Sequence, residues 1–181
     1  MSSGNTEPPV ICIVGSSRTG KTVLLEKLIP ELNRRGFRVG TIKHNHHDFE
    51  MDRPGKDSWR HKHAGAAVTV ISSPYKIGVV MDVDRDHSLE ELARFMGNVD
   101  IILAEGYKGE NMPKIEVLRS GRNRDPLLKE DEHLVALISD APVDLDVPRF
   151  SSNDIRTLAD FLITRLNPVS GMSTPHRKVA S

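Results

Sequence analysis

The chain lacks three features that would each mark a particular class of protein. Its single cysteine, Cys12, cannot form an internal disulfide, which fits a reducing compartment. Its 25 basic side chains are balanced by 25 acidic ones, whereas a general nucleic-acid binder usually carries a basic excess. No apolar run approaches the roughly 20 residues of a membrane span, and Met1–Pro9 lacks the apolar core of a signal peptide. We therefore expect a cytoplasmic protein with no nucleic-acid and no membrane partner.

Both ends of the 181-residue chain have the composition of tails. Residues 1–9 and 167–181 are rich in Ser, Thr, Pro, Gly and Asn and show no apolar periodicity. Segments of this kind cannot bury enough apolar surface to offset the loss of chain entropy. We expect two disordered tails around one domain that spans residues 10–166.

Within that range, strand-like and helix-like segments alternate. Apolar runs predict strands at 10–14, 38–43, 67–72, 76–83, 100–104, 114–118 and 134–138, and helical spacing predicts helices at 22–35, 56–64, 88–96 and 151–166. Pro30 lies inside the first helix and is expected to kink it. The alternation predicts an α/β fold of three layers, with a mostly parallel sheet, helices on both faces and one antiparallel hairpin.

A phosphate-binding motif follows the first predicted strand. It has the pattern G-x-x-x-x-G-K-[ST] and comprises Gly15, Ser16, Ser17, Arg18, Thr19, Gly20, Lys21 and Thr22. Glycines let successive backbone N–H groups point inward at phosphate oxygens. Lys21 supplies a positive charge for the terminal phosphates and the catalytic centre, and the Thr22 hydroxyl is a ligand for Mg²⁺. The sequence thus predicts a P-loop that binds a nucleotide.

A carboxylate at the end of a neighbouring strand is needed to hold the metal. Glu105 follows a buried apolar run and is expected at the carboxyl edge of the sheet, where ligands collect. Asp100 opens the same strand and would lie at the opposite edge. We therefore assign the metal to Thr22 and Glu105, against the alternative that Glu105 is a solvated acid.

A histidine-rich stretch follows the second predicted strand, and three interpretations of it remain open. In the first, it is a switch-like loop in which Lys43 neutralises phosphate charge and Asp48 or Asp52 acts on metal or water. In the second, its His and Asp side chains hold zinc or nickel. In the third, it is a polar surface loop. The histidines concerned are His44, His46, His47, His61 and His63.

The guanine-reading motif Asn-Lys-x-Asp is absent from the chain. Guanine presents two donors on one edge, and a carboxylate can accept both. Asp140, directly after the strand at 134–138, is placed to do this, but it is equally typical of an acid that begins a turn before Pro142.

Taken together, these motifs resemble the molybdopterin-guanine dinucleotide biosynthesis adaptor family, the MobB proteins. The resemblance covers about residues 10–166 and rests on the P-loop together with 41–44, 46–49, 54–58, 64–66, 105–108, 113–116 and 139–140. It implies a P-loop NTPase-type fold, a homodimer, and binding of GTP with Mg²⁺. It also implies weak GTPase activity at most, and a partner in the transferase that joins GMP to molybdopterin.

Two other functions are compatible with the same fold. Arg122 and Arg124 could clamp a transferred phosphoryl group in a small-molecule kinase, or they belong to a solvated loop. A metal-delivery GTPase would use the histidine-rich stretch as its carrier site.

Overall fold

The computed structural model describes residues 7–45, 47–119 and 125–166 and divides the chain into two compact units. The first, here called the sheet unit, comprises Met1–His44 and Leu89–Ser181, and the second, the hairpin unit, comprises Asn45–Ser88. A single domain over residues 10–166 therefore stays a prediction. Of the two tails predicted to be disordered, residues 1–6 and 167–181 lie outside the described residues, whereas Pro9 is described and its carbonyl accepts the N–H of Ile102 at 2.9 Å.

The sheet unit alternates strands with helices along the chain. Its elements are β1 (Val10–Val14), α1 (Lys21–Arg34), β2 (Val39–Lys43), α3 (Leu89–Ala93) with a following 3-10 turn (Arg94–Met96), β5 (Ile101–Glu105), β6 (Lys114–Val117), β7 (Leu134–Ile138), β8 (Arg149–Phe150) and α4 (Ile155–Leu166). The intervening α2 (Asp57–His63), β3 (Val68–Ser72) and β4 (Ile77–Met81) form the hairpin unit.

The six strands of the sheet unit form one parallel sheet in the order β2-β5-β1-β6-β7-β8. Strand β1 lies inside the sheet, between β5 and β6. Both it and β7 are buried along their whole length, which explains why their sequences are uninterrupted apolar runs. The predicted α/β class with a mostly parallel sheet is confirmed.

Apolar side chains pack on both faces of this sheet. On one face, Ile13, Leu103 and Ile115 join the buried residues of α1 and α4. On the other, Cys12 and Ile102 join Leu89 of α3. Because all strands of the sheet are parallel, their carboxyl ends lie at one edge, and this edge contains the candidate site.

The hairpin unit contains an antiparallel pair and a short helix. Strands β3 and β4 pair in register from Val68↔Met81 to Ser72↔Ile77, as the predicted hairpin requires. Helix α2 contacts β3, and Lys62 of α2 forms an ion pair with Asp82 at 2.5 Å. No helix in the described parts of either unit has the length and apolar character needed to cross a membrane.

The element boundaries differ from the predictions at a few positions. Helix α1 runs from Lys21 to Arg34, one residue earlier at each end than predicted, and it contains Pro30 as expected; the kink at Pro30 stays a prediction. Helix α4 begins at Ile155 and not at 151, because Ser151 and Asp154 form a turn in which the Ser151 N–H donates to the Asp154 carboxylate at 3.1 Å. The two-residue strand β8 was not predicted.

Candidate functional site

The loop from Gly15 to Gly20 joins the end of β1 to the start of α1 at the carboxyl edge of the sheet. Gly15 has φ +140°, and a Cβ there would lie 2.5 Å from the carbonyl oxygen of Val117. Arg18 and Gly20 also have positive φ, +61° and +103°. The tight approach to β6 and the left-handed backbone explain why the motif requires glycine at its first position.

Helix α1 begins with unsatisfied backbone donors. Its N-cap, Gly20, provides no side-chain hydrogen bond, and the first turn contains no acidic residue. The first N–H groups of the 14-residue helix therefore remain available, and the positive end of its dipole faces the loop. A helix start of this kind can hold an anion.

Lys21 is bonded to the loop itself. Its Nζ donates to the carbonyl oxygens of Gly15 at 3.1 Å and Ser16 at 2.9 Å. The Thr19 hydroxyl also donates to Ser16, at 3.1 Å. The ammonium group thus lies against the loop that a phosphate would enter, where it can exchange carbonyl contacts for phosphate contacts.

Thr22 and Glu105 meet, as predicted for a shared metal. The Thr22 hydroxyl lies 3.4 Å and 3.3 Å from the two carboxylate oxygens of Glu105. The parallel register brings them together, because Glu105 pairs with Ile13 two residues before the loop. A hydroxyl and a carboxylate are hard oxygen donors, and Mg²⁺ is commonly held by one or two such groups together with phosphate oxygens. The donor set fits Mg²⁺.

Lys43 lies at the same edge of the sheet. It ends β2 and is in register with Glu105 on the neighbouring strand, and its side chain is exposed. The structure thus brings together the Gly15–Thr22 loop, Glu105 and Lys43 along one edge.

The predicted acids of the histidine-rich stretch belong to the hairpin unit. The Asp48 carboxylate accepts the N–H of Phe49 at 2.8 Å, and that of Asp52 accepts the N–H of Arg53 at 2.7 Å. The observed local contacts of Asp52 are those of a turn that leads into α2, and its predicted catalytic role stays a prediction.

The histidines of this stretch show no common metal position within the described residues, where no group of three or more His, Cys, Asp or Glu side chains converges. His46 lies outside those residues. His63 instead stacks on Trp59, with ring centroids 3.7 Å apart, and its Nδ1 lies 3.0 Å from the Trp59 carbonyl oxygen.

Asp140 lies two residues after the end of β7 and is hydrogen-bonded to the turn that precedes α4. Its two carboxylate oxygens accept the N–H of Ser152 at 2.8 Å and the hydroxyl of Ser152 at 2.9 Å. These hydrogen bonds hold the pKa of Asp140 below its usual range. Both bonds run to Ser152, twelve positions away, so the turn before Pro142 and the base-reading role both stay predictions.

Sequence reasoning missed one basic residue beside the loop. Arg119 follows β6, and its Nη1 lies 3.4 Å from the carbonyl oxygen of Arg18. The contact joins residues 101 positions apart, and no motif contains both. The adjacency of β1 and β6, which produces it, becomes visible only in the folded sheet. Arg122 and Arg124, which the kinase alternative requires, lie outside the described residues.

A parallel sheet whose inner strand leads through a glycine-framed loop into a helix defines an α/β protein with a P-loop NTPase-like fold. Solved structures of this class match the chain. It is similar to MobB from Bacillus subtilis, with a TM-score of 0.68, 26% identity, and coverage of 89% of this chain and 99% of that one. It is also similar to a MobB homolog from Bacillus stearothermophilus, with a TM-score of 0.66, 25% identity, and coverage of 87% and 97%.

The family model for Molybdopterin guanine dinucleotide synthesis protein B, MobB, matches residues 10–140, and the chain belongs to this family. It is 40% identical to the molybdopterin-guanine dinucleotide biosynthesis adapter protein of Escherichia coli K12 over 174 residues, 93% of this chain and 99% of the relative. It is 37% identical to the protein of the same name from Haemophilus influenzae over 169 residues, 92% and 94% of the two chains.

Proposed function

We propose that this protein is an adapter in molybdopterin guanine dinucleotide biosynthesis that binds GTP with Mg²⁺. Family membership and the relatives named as adapter proteins support the role in this pathway. The observation that carries nucleotide binding is the geometry of the Gly15–Thr22 loop, in which Lys21, the uncapped start of α1 and the Thr22–Glu105 pair all adjoin one curled segment.

In this proposal, the loop N–H groups and the start of α1 bind the phosphate oxygens. Lys21 leaves the Gly15 and Ser16 carbonyls to contact the terminal phosphates. Thr22 and Glu105 hold Mg²⁺, which adds positive charge against the phosphates, and Lys43 supplies charge at the same edge.

Hydrolysis of GTP by the isolated protein is proposed to be slow at most. Fast P-loop GTPases orient the attacking water with a glutamine and neutralise the transition state with an arginine. The sequence contains no glutamine. Bound GTP would then serve the adapter role, for example by changing how the protein meets its partner, and would not be turned over as its main activity.

Replacing Lys21 tests nucleotide binding directly. Titration calorimetry with GTP and Mg²⁺ should show binding by the wild-type chain and a loss of at least about 100-fold in the Lys21→Ala variant, because the charge at the phosphates is removed. Lys129→Ala removes an equal charge from an exposed position and should bind as the wild type. Equal affinity in the wild type and Lys21→Ala would refute the proposed site.

The preference for guanine is assigned to Asp140. A carboxylate offers about four lone-pair positions, so the two bonds from Ser152 leave acceptor capacity for a base. Asp140→Asn should reduce the ratio of GTP to ATP affinity, whereas Ser152→Ala, which leaves the carboxylate intact, should preserve it. A ratio that falls equally in both variants would identify Asp140 as a turn residue only.

The partner proposed for the adapter is the transferase that attaches GMP to molybdopterin. Purified transferase should co-elute with this protein in size-exclusion chromatography in the presence of GTP and Mg²⁺. The matched comparison is Lys21→Ala under the same conditions. Absence of a complex with the wild-type chain would remove this partner.

A homodimer through the hairpin unit is proposed as well. Large apolar side chains of both hairpin strands are exposed, namely Val68, Val70, Ile71, Ile77, Val79 and Met81. An isolated two-stranded hairpin is marginally stable in water, and a covered apolar surface would stabilise it. A second copy of the chain supplies a matching apolar surface.

Sedimentation analysis tests the dimer. Ile77→Asp places a charge at a side chain that is 70% exposed and should convert dimer to monomer. Phe95→Asp changes a side chain of nearly equal exposure, 69%, in the sheet unit and should leave the dimer intact. A wild-type chain that sediments as a monomer at micromolar concentration would exclude this assembly.

A further inference from the structure

Arg119 stands beside the Gly15–Thr22 loop and belongs to none of the motifs discussed above. Its side chain is exposed at the carboxyl edge of the sheet, and its Nη1 makes a long hydrogen bond of 3.4 Å to the Arg18 carbonyl. It contacts the backbone at Arg18, whereas the side chains of Thr19 and Lys21 contact the carbonyls of Gly15 and Ser16. This arrangement raises the question of what the contact does for a bound phosphate chain.

The backbone that carries Arg119 is fixed against its neighbours. The Val117 carbonyl lies so close to Gly15 that it leaves no room for a Cβ. The next residue, Leu118, donates its N–H to the Ile138 carbonyl at 2.9 Å, which extends the pairing of β6 with β7. The position of Arg119 at the flank of the loop therefore follows from the sheet.

Buried polar side chains hold the rest of β6 and the segment that returns to the sheet. The Glu116 carboxylate is fully buried and accepts the N–H groups of Leu127 at 2.7 Å and Leu128 at 3.1 Å. Lys114, also buried, pairs with Asp131 at 2.9 Å. Removing one partner from such a group leaves a buried polar atom without its bond, so β6 and residues 127–131 are held in place against each other.

The contact is made to the loop residue whose backbone conformation is least favourable. Arg18 has φ +61°, and a non-glycine residue in the left-handed region costs about 1–2 kcal/mol. Lys21 and Thr19 hold the carbonyls of Gly15 and Ser16, in the first half of the loop. In the proposed complex Lys21 turns towards a phosphate and releases those carbonyls, whereas the contact of Arg119 with Arg18 does not depend on Lys21.

We propose that Arg119 is a positioning residue for the triphosphate: it holds the Arg18 peptide so that the loop keeps its curl with the ligand bound. This inference rests on the proposed binding of GTP at the same loop. An arginine suits the role because its guanidinium is always charged and carries several donors in a fixed plane. Because Arg119 acts on the loop, it should contribute to the affinity for the phosphates and not to the affinity for the base.

The test measures the affinities of wild type, Arg119→Ala, Arg119→Gln and Arg119→Lys for two probes with Mg²⁺, GTP and inorganic triphosphate. Arg119→Ala should weaken both probes by the same factor, about five- to tenfold, as expected for the loss of one long, solvent-exposed hydrogen bond. Arg119→Lys and Arg119→Gln, which keep a donor, should recover part of that loss. Arg38→Ala removes an equal charge at the opposite edge of the sheet, beside Asp100, and should bind as the wild type.

Each outcome separates this inference from the proposed function. Wild-type affinity for both probes in Arg119→Ala, with binding lost in Lys21→Ala, would overturn the role of Arg119 and leave GTP binding standing. A loss confined to GTP would also overturn it, since Arg119 would then act on the base. If the wild-type chain binds neither probe, the proposed function fails and this inference fails with it. Circular dichroism at the assay temperature verifies that each variant is folded. If Arg119→Ala does not fold, the affinities of Arg119→Lys for the two probes are compared with those of the wild type instead.

Discussion

Strands of similar apolar sequence have opposite surroundings in the two units. In the sheet unit, β1 and β7 are buried along their whole length: each has a neighbouring strand on both sides and packs through one face against α1 and α4. In the hairpin unit, nearly every side chain of β3 and β4 is exposed or half-exposed. An apolar run thus predicts a strand reliably, but whether the strand is buried depends on what packs against it. The hairpin unit by itself does not contain enough packing partners to bury β3 and β4.

The largest contrast should come from removing a leucine side chain in the sheet unit. Leu103 of β5 is fully buried between β1 and β2, so Leu103→Ala should lower the free energy of unfolding by about 2–5 kcal/mol. Val79→Ala, at an exposed position of β4, should change it by no more than about 0.5 kcal/mol in the monomer. Urea denaturation followed by circular dichroism measures the free energy of unfolding of both variants. Similar decreases in Leu103→Ala and Val79→Ala would contradict the expected difference between the two units.

A second contrast concerns charges in the two units. Glu116 is buried and accepts two N–H groups, so Glu116→Gln should cost about 1–3 kcal/mol. Asp82 of the hairpin unit pairs with Lys62 but is 70% exposed, and Asp82→Asn should cost about 0.2–1 kcal/mol. Thermal unfolding at low and at 1 M salt checks this, because only the exposed pair should be sensitive to screening. A salt-dependent Glu116 effect would contradict the expectation.

The smallest expected effect is the pH-dependent contribution of Glu31, in the sheet unit, to the free energy of unfolding. Hydrogen bonds from Arg34 and then Arg35 lower the pKa of Glu31 from an ordinary 4.5 to about 2. A carboxylate with a depressed pKa stabilises the fold fully above the unfolded value and loses that contribution as pH falls through the folded one. Glu31→Gln should therefore be less stable than wild type at pH 7, and the difference should shrink between pH 4.5 and 2. Glu26→Gln, at an exposed position of α1, is the control and should show no such trend.

Much of the fold could be predicted because its signals are local. The apolar runs of β1 and β7 gave their bounds without error, since each strand is buried on both faces and bounded by polar or turn residues. Strand β8 could not be predicted, because two residues are too short for any periodicity and pair only through β7. The start of α4 was placed too early because the turn at 151–154 has the composition of a helix N-terminus.

The candidate site divides in the same way. The Gly15–Thr22 loop is one contiguous motif, and Glu105 follows from the rule that parallel strands end at one edge, so both could be found in sequence. Arg119 depends on which strand lies next to β1, and Asp140 on a partner twelve residues away. Neither the order of strands in a sheet nor a side-chain contact across a turn leaves a local pattern.

The location of Cys12 has a practical consequence. It is the single cysteine of the chain, it is fully buried in β1, and burial raises the pKa of its thiol to about 11. Thiolate is the nucleophilic form, so an alkylating reagent can modify this sulfur only when the middle of the sheet opens. Because β1 leads into the Gly15–Thr22 loop, the labelling rate measures how often the strand beneath that loop opens. A ligand that slows the labelling would thereby be shown to stabilise this strand.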